Sequence, residues 1–179
     1  MTDPYNRIRD VKTEALKTIA DRLEERAAQE DQQAMLQAYL NDIAFAPQSR
    51  VVEVGCGTGA VARVLASHDS VQSVIGVDPS EFFVKRARFI AAEYKNMLFE
   101  VADATMLPFK DRSFDVVIFH TALCHIDPPE RALEEALRVL KPAGWLAAFD
   151  GDYATSTVAI AEHDPLQACS SAVTANNVR

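Results

Sequence analysis

The stretch that most constrains this chain is RVVEVGCGTGAVARVLASH, residues 50–68. RVVEV at 50–54 is a short β-branched run and reads as a strand, whereas VARVLASH at 61–68 has helical character. Between them stand Gly55, Gly57 and Gly59, at every second position. Glycines in that pattern imply that something approaches the backbone too closely for side chains. A strand that passes through such a loop into a helix presents backbone N–H groups at the helix start, where an anionic or polar ligand is favoured.

The pattern then alternates. SVIGV at 73–77, MLFEV at 97–101, FDVVIFH at 114–120 and WLAAFD at 145–150 read as further strands. The segment 80–95 reads as a helix capped by Ser80. The segment 127–145 reads as another, with Asp127 as its cap, Pro128 in the first turn and Glu130 at capping-box spacing. Leu133, Ala136, Leu137 and Leu140 form one face of it, and Pro142 and Gly144 stop it. Strands that are apolar throughout fit a parallel sheet covered on both faces. The alternation over about a hundred residues predicts an α/β, Rossmann-like, doubly wound and mostly parallel sheet. Residues 8–45 carry helical periodicity, so residues 1–47 form an N-terminal helical extension and residues 48–179 the main domain. The polar AAQEDQQ segment either breaks that helical region or continues it as an exposed face.

With 179 residues the chain suits one domain. Its net charge of −8 argues against nonspecific nucleic-acid binding, whose footprint is a basic face. Cys56, Cys124 and Cys169 are widely spaced, giving neither a disulfide framework nor a zinc site, so no metal is expected and a cytoplasmic setting is. The polar N-terminus MTDPYNRIRD does not read as a signal peptide, and no apolar run approaches the length of a membrane span.

The ligand of the glycine loop is open to two classes. GCGTGA satisfies the nicotinamide-dinucleotide pattern if Ala60 counts as the third small residue. S-adenosylmethionine would instead run its methionine portion along the loop. Asp78, nineteen residues after Gly59 at the end of a strand, can accept hydrogen bonds from both hydroxyls of a ribose and suits either class. Two other carboxylates discriminate. Glu53 lies inside the first strand, where a buried carboxylate is costly unless paired, so it is expected to bond loop amides or face a cationic group. A sulfonium and an ammonium suit it better than phosphates do. Asp103, after the third strand, can accept the amino group of an adenine.

VVEVGCGTGA, VIGVDPS, VADATMLPFKDRSFDVVIFHTALCHI and ALRVLKPAGWLAAFD, in that order over residues 50–150, resemble the class I S-adenosylmethionine-dependent methyltransferases. Within these they are most similar to the group that includes the ubiquinone and menaquinone biosynthesis enzymes and many small-molecule methyltransferases. The resemblance implies S-adenosylmethionine as cofactor and S-adenosylhomocysteine as product. It places Gly55, Cys56 and Gly57, with Gly59, along the methionine part, Asp78 and Pro79 at the ribose, and Asp103 and Ala104 at the adenine. His120 and Thr121 would border the methyl group. HTALCH follows the fourth strand where nucleic-acid amino-methyltransferases carry an Asn/Asp-Pro-Pro-aromatic motif, so a small-molecule acceptor is expected.

Methyl transfer asks mainly for in-line positioning, and a hydroxyl or carbon acid also benefits from a base. His120 and His125 are the catalytic candidates by position. Cys124 and Cys56 read as packing. Tyr39 and Phe45, on the N-terminal helices, can close over the site as a lid. The family sheet ends in an antiparallel pair of strands, and residues 151–179 contain no such pair, so the domain is C-terminally short. The fifth strand is then an open edge, expected either to be covered by another chain, as in a homo-oligomer, or to leave the chain poorly stable alone. Two alternatives remain at this point: a cofactor-binding protein or fragment without catalysis, and a nicotinamide-dependent oxidoreductase.

Overall fold

The computed structural model describes Tyr5 and residues 8–151. Five strands, β1 (Ser49–Val54), β2 (Val71–Asp78), β3 (Met97–Val101), β4 (Phe114–His120) and β5 (Leu140–Phe149), form one sheet in the order β3-β2-β1-β4-β5. Every neighbouring pair is parallel. The chain divides into two units, Met1–Phe149 and Asp150–Arg179. The first holds all the elements named here. The expectation that residues 151–179 lack the final strand pair falls, from residue 152 on, outside the described residues.

Alternation along the strands builds two cores. Val51, Val74, Phe99, Val116 and Ile118 point to one face, where helix α3 (Ala60–Ala66) and helix α4 (Glu81–Ile90) cover them. Val52, Val54, Val77, Val117 and Phe119 point to the other, against Ala132, Ala136 and Val139 of helix α5 (Pro129–Val139). Where both faces are covered, the middles of β1 and β4 are apolar. Glu53, facing the first core, is the exception in β1.

β1 lies between β2 and β4, so the chain leaves β1 toward one edge and later returns toward the other. This is the switch point of a doubly wound sheet, where a crevice opens beyond the strand ends. The N-terminal region is two helices, α1 (Thr13–Ala27) and α2 (Glu30–Asn41), preceded by a short 3-10 turn at Ile8–Asp10. The polar segment between them is a break at Ala28 and Gln29. Leu36, Leu40 and Ile43 join the first core, and Leu16 and Ala20 pack with Ile8 on Phe83 of α4.

Three local expectations are corrected. α5 begins at Pro129 with Pro128 in the cap position, and no side chain caps it, so Asp127 and Glu130 form no capping box. Leu137 is 61% exposed; the buried stripe is Ala132, Ala136 and Val139, because the helix ends at Val139 and is turned toward the sheet by these smaller residues. Pro142 and Gly144 do not stop the helix. They lie in an irregularity of β5, where Leu140 pairs with Phe114 and Trp145 already pairs with Val116. Gly144 is required there, since a Cβ would lie 2.7 Å from the carbonyl oxygen of Asp115. Among the described residues no helix is long and apolar enough to cross a membrane.

Candidate functional site

The glycine loop closes β1 onto β2: the N–H groups of Gly55 and Cys56 both donate to the carbonyl of Val77, at 2.8 and 2.9 Å. A Cβ on Gly55 would lie 2.5 Å from that of Ala122, and one on Gly59 would lie 2.6 Å from the Phe99 ring. All three glycines have positive φ, at 76° for Gly55, 51° for Gly57 and 79° for Gly59. The close approach that forbids side chains at Gly55 and Gly59 is therefore made by the protein itself. At Gly57 a Cβ would meet only the tip of Leu23, at 3.1 Å, so the loop is open there apart from a side chain of α1. Cys56 is buried, and burial, with Asp78 and Glu53 adding to it, pushes its thiol well up, which leaves it a packing residue rather than a nucleophile.

Two carboxylates are buried beneath the loop. Glu53 is 2% exposed, and its Oε2 has no hydrogen-bond partner among the described residues. Burial pushes its pKa up to about 8; the Ala62 N–H pulls the other way, Asp78 adds to the rise and Arg63 opposes it. Asp78 uses both oxygens on backbone. Oδ2 accepts from the Gly57 N–H at 2.9 Å and Oδ1 from the Ser80 N–H at 2.8 Å. Burial raises it to about 6 against the pull of these two bonds. Ser80 caps α4, its Oγ accepting from the Phe83 N–H at 3.3 Å. Asp78 thus braces the open part of the loop against the end of β2.

Asp103 is exposed after β3. Its Oδ1 accepts from the backbone N–H of Thr105 at 2.9 Å and from the Thr105 hydroxyl at 2.7 Å, which holds its pKa low. Ala104 is buried in the second core.

The end of β4 supplies the other wall. Ala122, which meets Gly55, ties this turn to the loop. Thr121 has φ 51° and donates its N–H to the Phe149 carbonyl at 2.6 Å. His120 Nδ1 lies 3.0 Å from the Tyr39 hydroxyl. Phe149 stacks on both rings, with centroids 5.2 Å from His120 and 5.4 Å from Tyr39. His125 ends a separate 3-10 turn, Leu123–His125, and stacks on Tyr5 at 4.5 Å.

The N-terminal segment contacts the site along its length. Arg9 donates to the carbonyl of Pro79 at 3.3 Å and stands 3.9 Å from the carboxylate of Asp103. Glu24 pairs with Arg63 at 2.7 Å, and Arg63 also donates to the carbonyl of Thr58 at 3.1 Å. Arg26 donates to the Thr121 hydroxyl at 3.0 Å. Sequence reasoning named Tyr39 and missed Arg9, Leu23, Arg26, Arg63 and Phe149, whose partners are distant in sequence and carry no shared pattern. Phe45 is not at the site: it packs on His68 at 4.6 Å, below the first core.

A family model described as "Methyltransferase domain" matches residues 52–148. The 27-O-demethylrifamycin SV methyltransferase of Amycolatopsis mediterranei is 38% identical over 104 residues, 56% of this chain and 38% of that protein. The demethylmenaquinone methyltransferase of Symbiobacterium thermophilum is 36% identical over 104 residues, 56% of this chain and 41% of that protein. Among solved structures, the [4+2]-cyclase SpnF superposes with a TM-score of 0.62 at 30% identity, covering 65% of this chain and 44% of the other. The chain spans less than half the length of these relatives.

Proposed function

Because the chain belongs to the methyltransferase-domain family, we propose that it binds S-adenosylmethionine at the switch point of the sheet and transfers the methyl group to a small-molecule acceptor. The observation that carries this reading is Glu53, a buried carboxylate with an unpartnered oxygen directly beneath a glycine loop. Such a group costs free energy unless a cation or donor reaches it, and a dinucleotide pyrophosphate would bring charge of the wrong sign.

The residues present fit the donor molecule. The open backbone at Gly57, flanked by Gly55, Cys56 and Gly59, lines its amino-acid end above Glu53. Asp78 and Pro79 stand at the ribose position, and Asp103 and Ala104 at the adenine. When bound, S-adenosylmethionine supplies an electrophilic methyl group on a sulfonium. His120 and Thr121 border the transferred methyl group, and His120 and His125 are the catalytic candidates on the acceptor side. α1 and α2 act as a lid that excludes water and holds donor and acceptor in line, the positioning on which most of the rate rests. The acceptor is a small molecule rather than a nucleic acid, in keeping with the net charge of −8. We place the protein in the cytoplasm, where its cysteine usage fits. A second copy of the chain pairing along the outer edge of β5 is part of the same proposal.

Thermal-shift and calorimetric titration test the donor reading. Stabilisation by S-adenosylmethionine and S-adenosylhomocysteine is expected, and a response to NAD alone would overturn it. A second reading, cofactor binding without methyl transfer, is favoured by the similarity to a structure described as a cyclase. Bound donor with no methylated product from any acceptor mixture would select it.

A further inference from the structure

The two carboxylates beneath the glycine loop are held in different ways. Asp78, at the end of β2, has both oxygens engaged by backbone amides, those of Gly57 and Ser80. Glu53, inside β1, is 2% exposed, and its Oε2 has no hydrogen-bond partner among the described residues. Its partners in the adjoining strands, Gly76 of β2 and Ile118 of β4, carry no polar side chain. From α3, the Ala62 N–H and the Arg63 guanidinium favour the charged form of Glu53. That guanidinium is already paired with Glu24 of α1 and bonded to the Thr58 carbonyl. Against ionisation stand burial, the largest influence, and the carboxylate of Asp78. Tyr39 of α2, hydrogen-bonded to His120 of β4, and Cys56 of the loop are both kept protonated, by burial first and by Glu53 among the lesser causes. Two like charges under one loop cannot both be held cheaply when the neighbouring cation is already engaged. The amides decide which carboxyl ionises first, and they favour Asp78.

We propose that Glu53 is the charge-sensing residue of the donor site: it is a neutral acid in the free protein and gives up its proton when the ammonium of the donor's amino-acid end enters, so that donor binding releases a proton and product release takes one up. This rests on the reading that the glycine loop holds the amino-acid end of S-adenosylmethionine. The bare Oε2 is where a cation is missing, and an arriving ammonium supplies the charge that makes a buried carboxylate tolerable.

The balance is short. A carboxylic acid and a ligand that already carries its ammonium become a carboxylate–ammonium pair and a free proton, which passes to solvent. Only an O–H bond is broken. The product keeps the same ammonium, so the pair outlasts methyl transfer and the proton returns when the product leaves. Adenosyl compounds without an ammonium leave Glu53 protonated and gain none of this attraction, so the site selects on charge at the amino-acid end. Below about pH 8, where the free Glu53 titrates, protons compete with the ammonium for the carboxylate. Affinity therefore rises with pH up to that value and then levels.

Calorimetric titration of the full 179-residue chain with S-adenosylhomocysteine, in buffers of different ionisation enthalpy, counts the protons. At pH 7 about one proton released per ligand is expected. Between pH 6.5 and 7.5 the affinity should rise roughly eightfold, as follows for a group titrating at about 8. Glu53→Gln should bind with little proton release and nearly constant affinity over that range; Asp78, raised to about 6, is largely ionised at pH 7 and adds little. 5′-Methylthioadenosine, which has the adenosine and the thioether but no ammonium, should bind more weakly and release none. Equal proton release by the two ligands would place the proton elsewhere and sink the proposal. Carboxyl-carbon spectra of the free protein, with Glu53 assigned by its loss in Glu53→Gln, give a reading that needs no ligand: a neutral acid at pH 7 is expected, and a carboxylate there would overturn the proposal. In the wild type alone, binding of S-adenosylhomocysteine without proton release would overturn it and leave the donor reading standing. Absence of binding would overturn both.

Discussion

Glu53 has a testable signature in stability. Its carboxyl titrates near 8 in the folded protein, against an ordinary value of 4.5. A raised folded pKa means that its contribution is fully present below about pH 4.5 and is lost as the pH rises through about 8. Glu53→Gln cannot ionise, so the variant should gain on the wild type across that window, by an amount on the order of a few kcal/mol. Urea midpoints of both proteins at pH 5 and pH 8 read the difference; parallel behaviour would mean that the buried carboxyl is compensated. The glycines divide in the same way. Gly59→Ala places a Cβ against Phe99 at positive φ and should cost about 2 kcal/mol or more in stability. Gly57→Ala, also at positive φ, carries that backbone cost but meets only a flexible leucine tip, so it should cost less in stability than Gly59→Ala and more in affinity for S-adenosylhomocysteine, because a leucine tip can yield but a bound ligand cannot. Equal losses in both assays for the two variants would contradict that division. The carboxylates of the site were legible in the sequence because each interrupts or ends an apolar run: Glu53 within β1, Asp78 closing β2, Asp103 after β3. Arg9, Arg26 and Phe149 were not, because their role is a meeting of elements 70, 95 and 110 residues apart and no local spacing records it.

Helix starts show the same contrast at the next scale. Ser80 and Asp127 both stood before helical periodicity as cap candidates, yet only Ser80 receives an N–H. Ser80→Ala should therefore lower stability by about 1 kcal/mol, while Asp127→Ala should be near neutral. Chemical denaturation decides it, and a larger loss at Asp127 would show that α5 begins earlier than its geometry indicates. The strands were the most legible elements. β3 and β4 are found where the apolar runs MLFEV and FDVVIFH lie; β4 is buried on both faces and has little freedom to place polar residues, whereas β3 is an edge strand with Leu98 and Val101 exposed. β5 was misjudged at its start. Lys141, Pro142, Ala143 and Gly144 look like a turn, and they do form the irregular stretch, but Leu140 before them already pairs with β4. The face of α5 was misjudged at Leu137 for a related reason: helix periodicity identifies a stripe but not which flank of it meets the sheet, and here alanines allow the closer approach.

At the scale of the whole molecule, the sheet determines where association can occur. Among the described residues β5 pairs with β4 on one side only, and Trp145 within it is 42% exposed. Unpaired N–H and C=O groups beside an exposed aromatic ring are a template for a further strand. The net charge of −8 opposes close approach of two copies, and at about 0.15 M salt that repulsion is screened beyond roughly 8 Å, so the proposed pairing should strengthen with ionic strength rather than weaken. Trp145 is the chain's single tryptophan, so its fluorescence reports this edge alone. Raising protein concentration should shift its emission to the blue as the sedimenting mass increases, and added salt should move both in the same direction. Trp145→Lys, which places a charge on the edge, should hold the protein at monomer mass. A monomer mass at every concentration with an unmoved spectrum would remove β5 as an association surface, while leaving the proposed donor site, at the ends of β1, β2 and β3, as it stands.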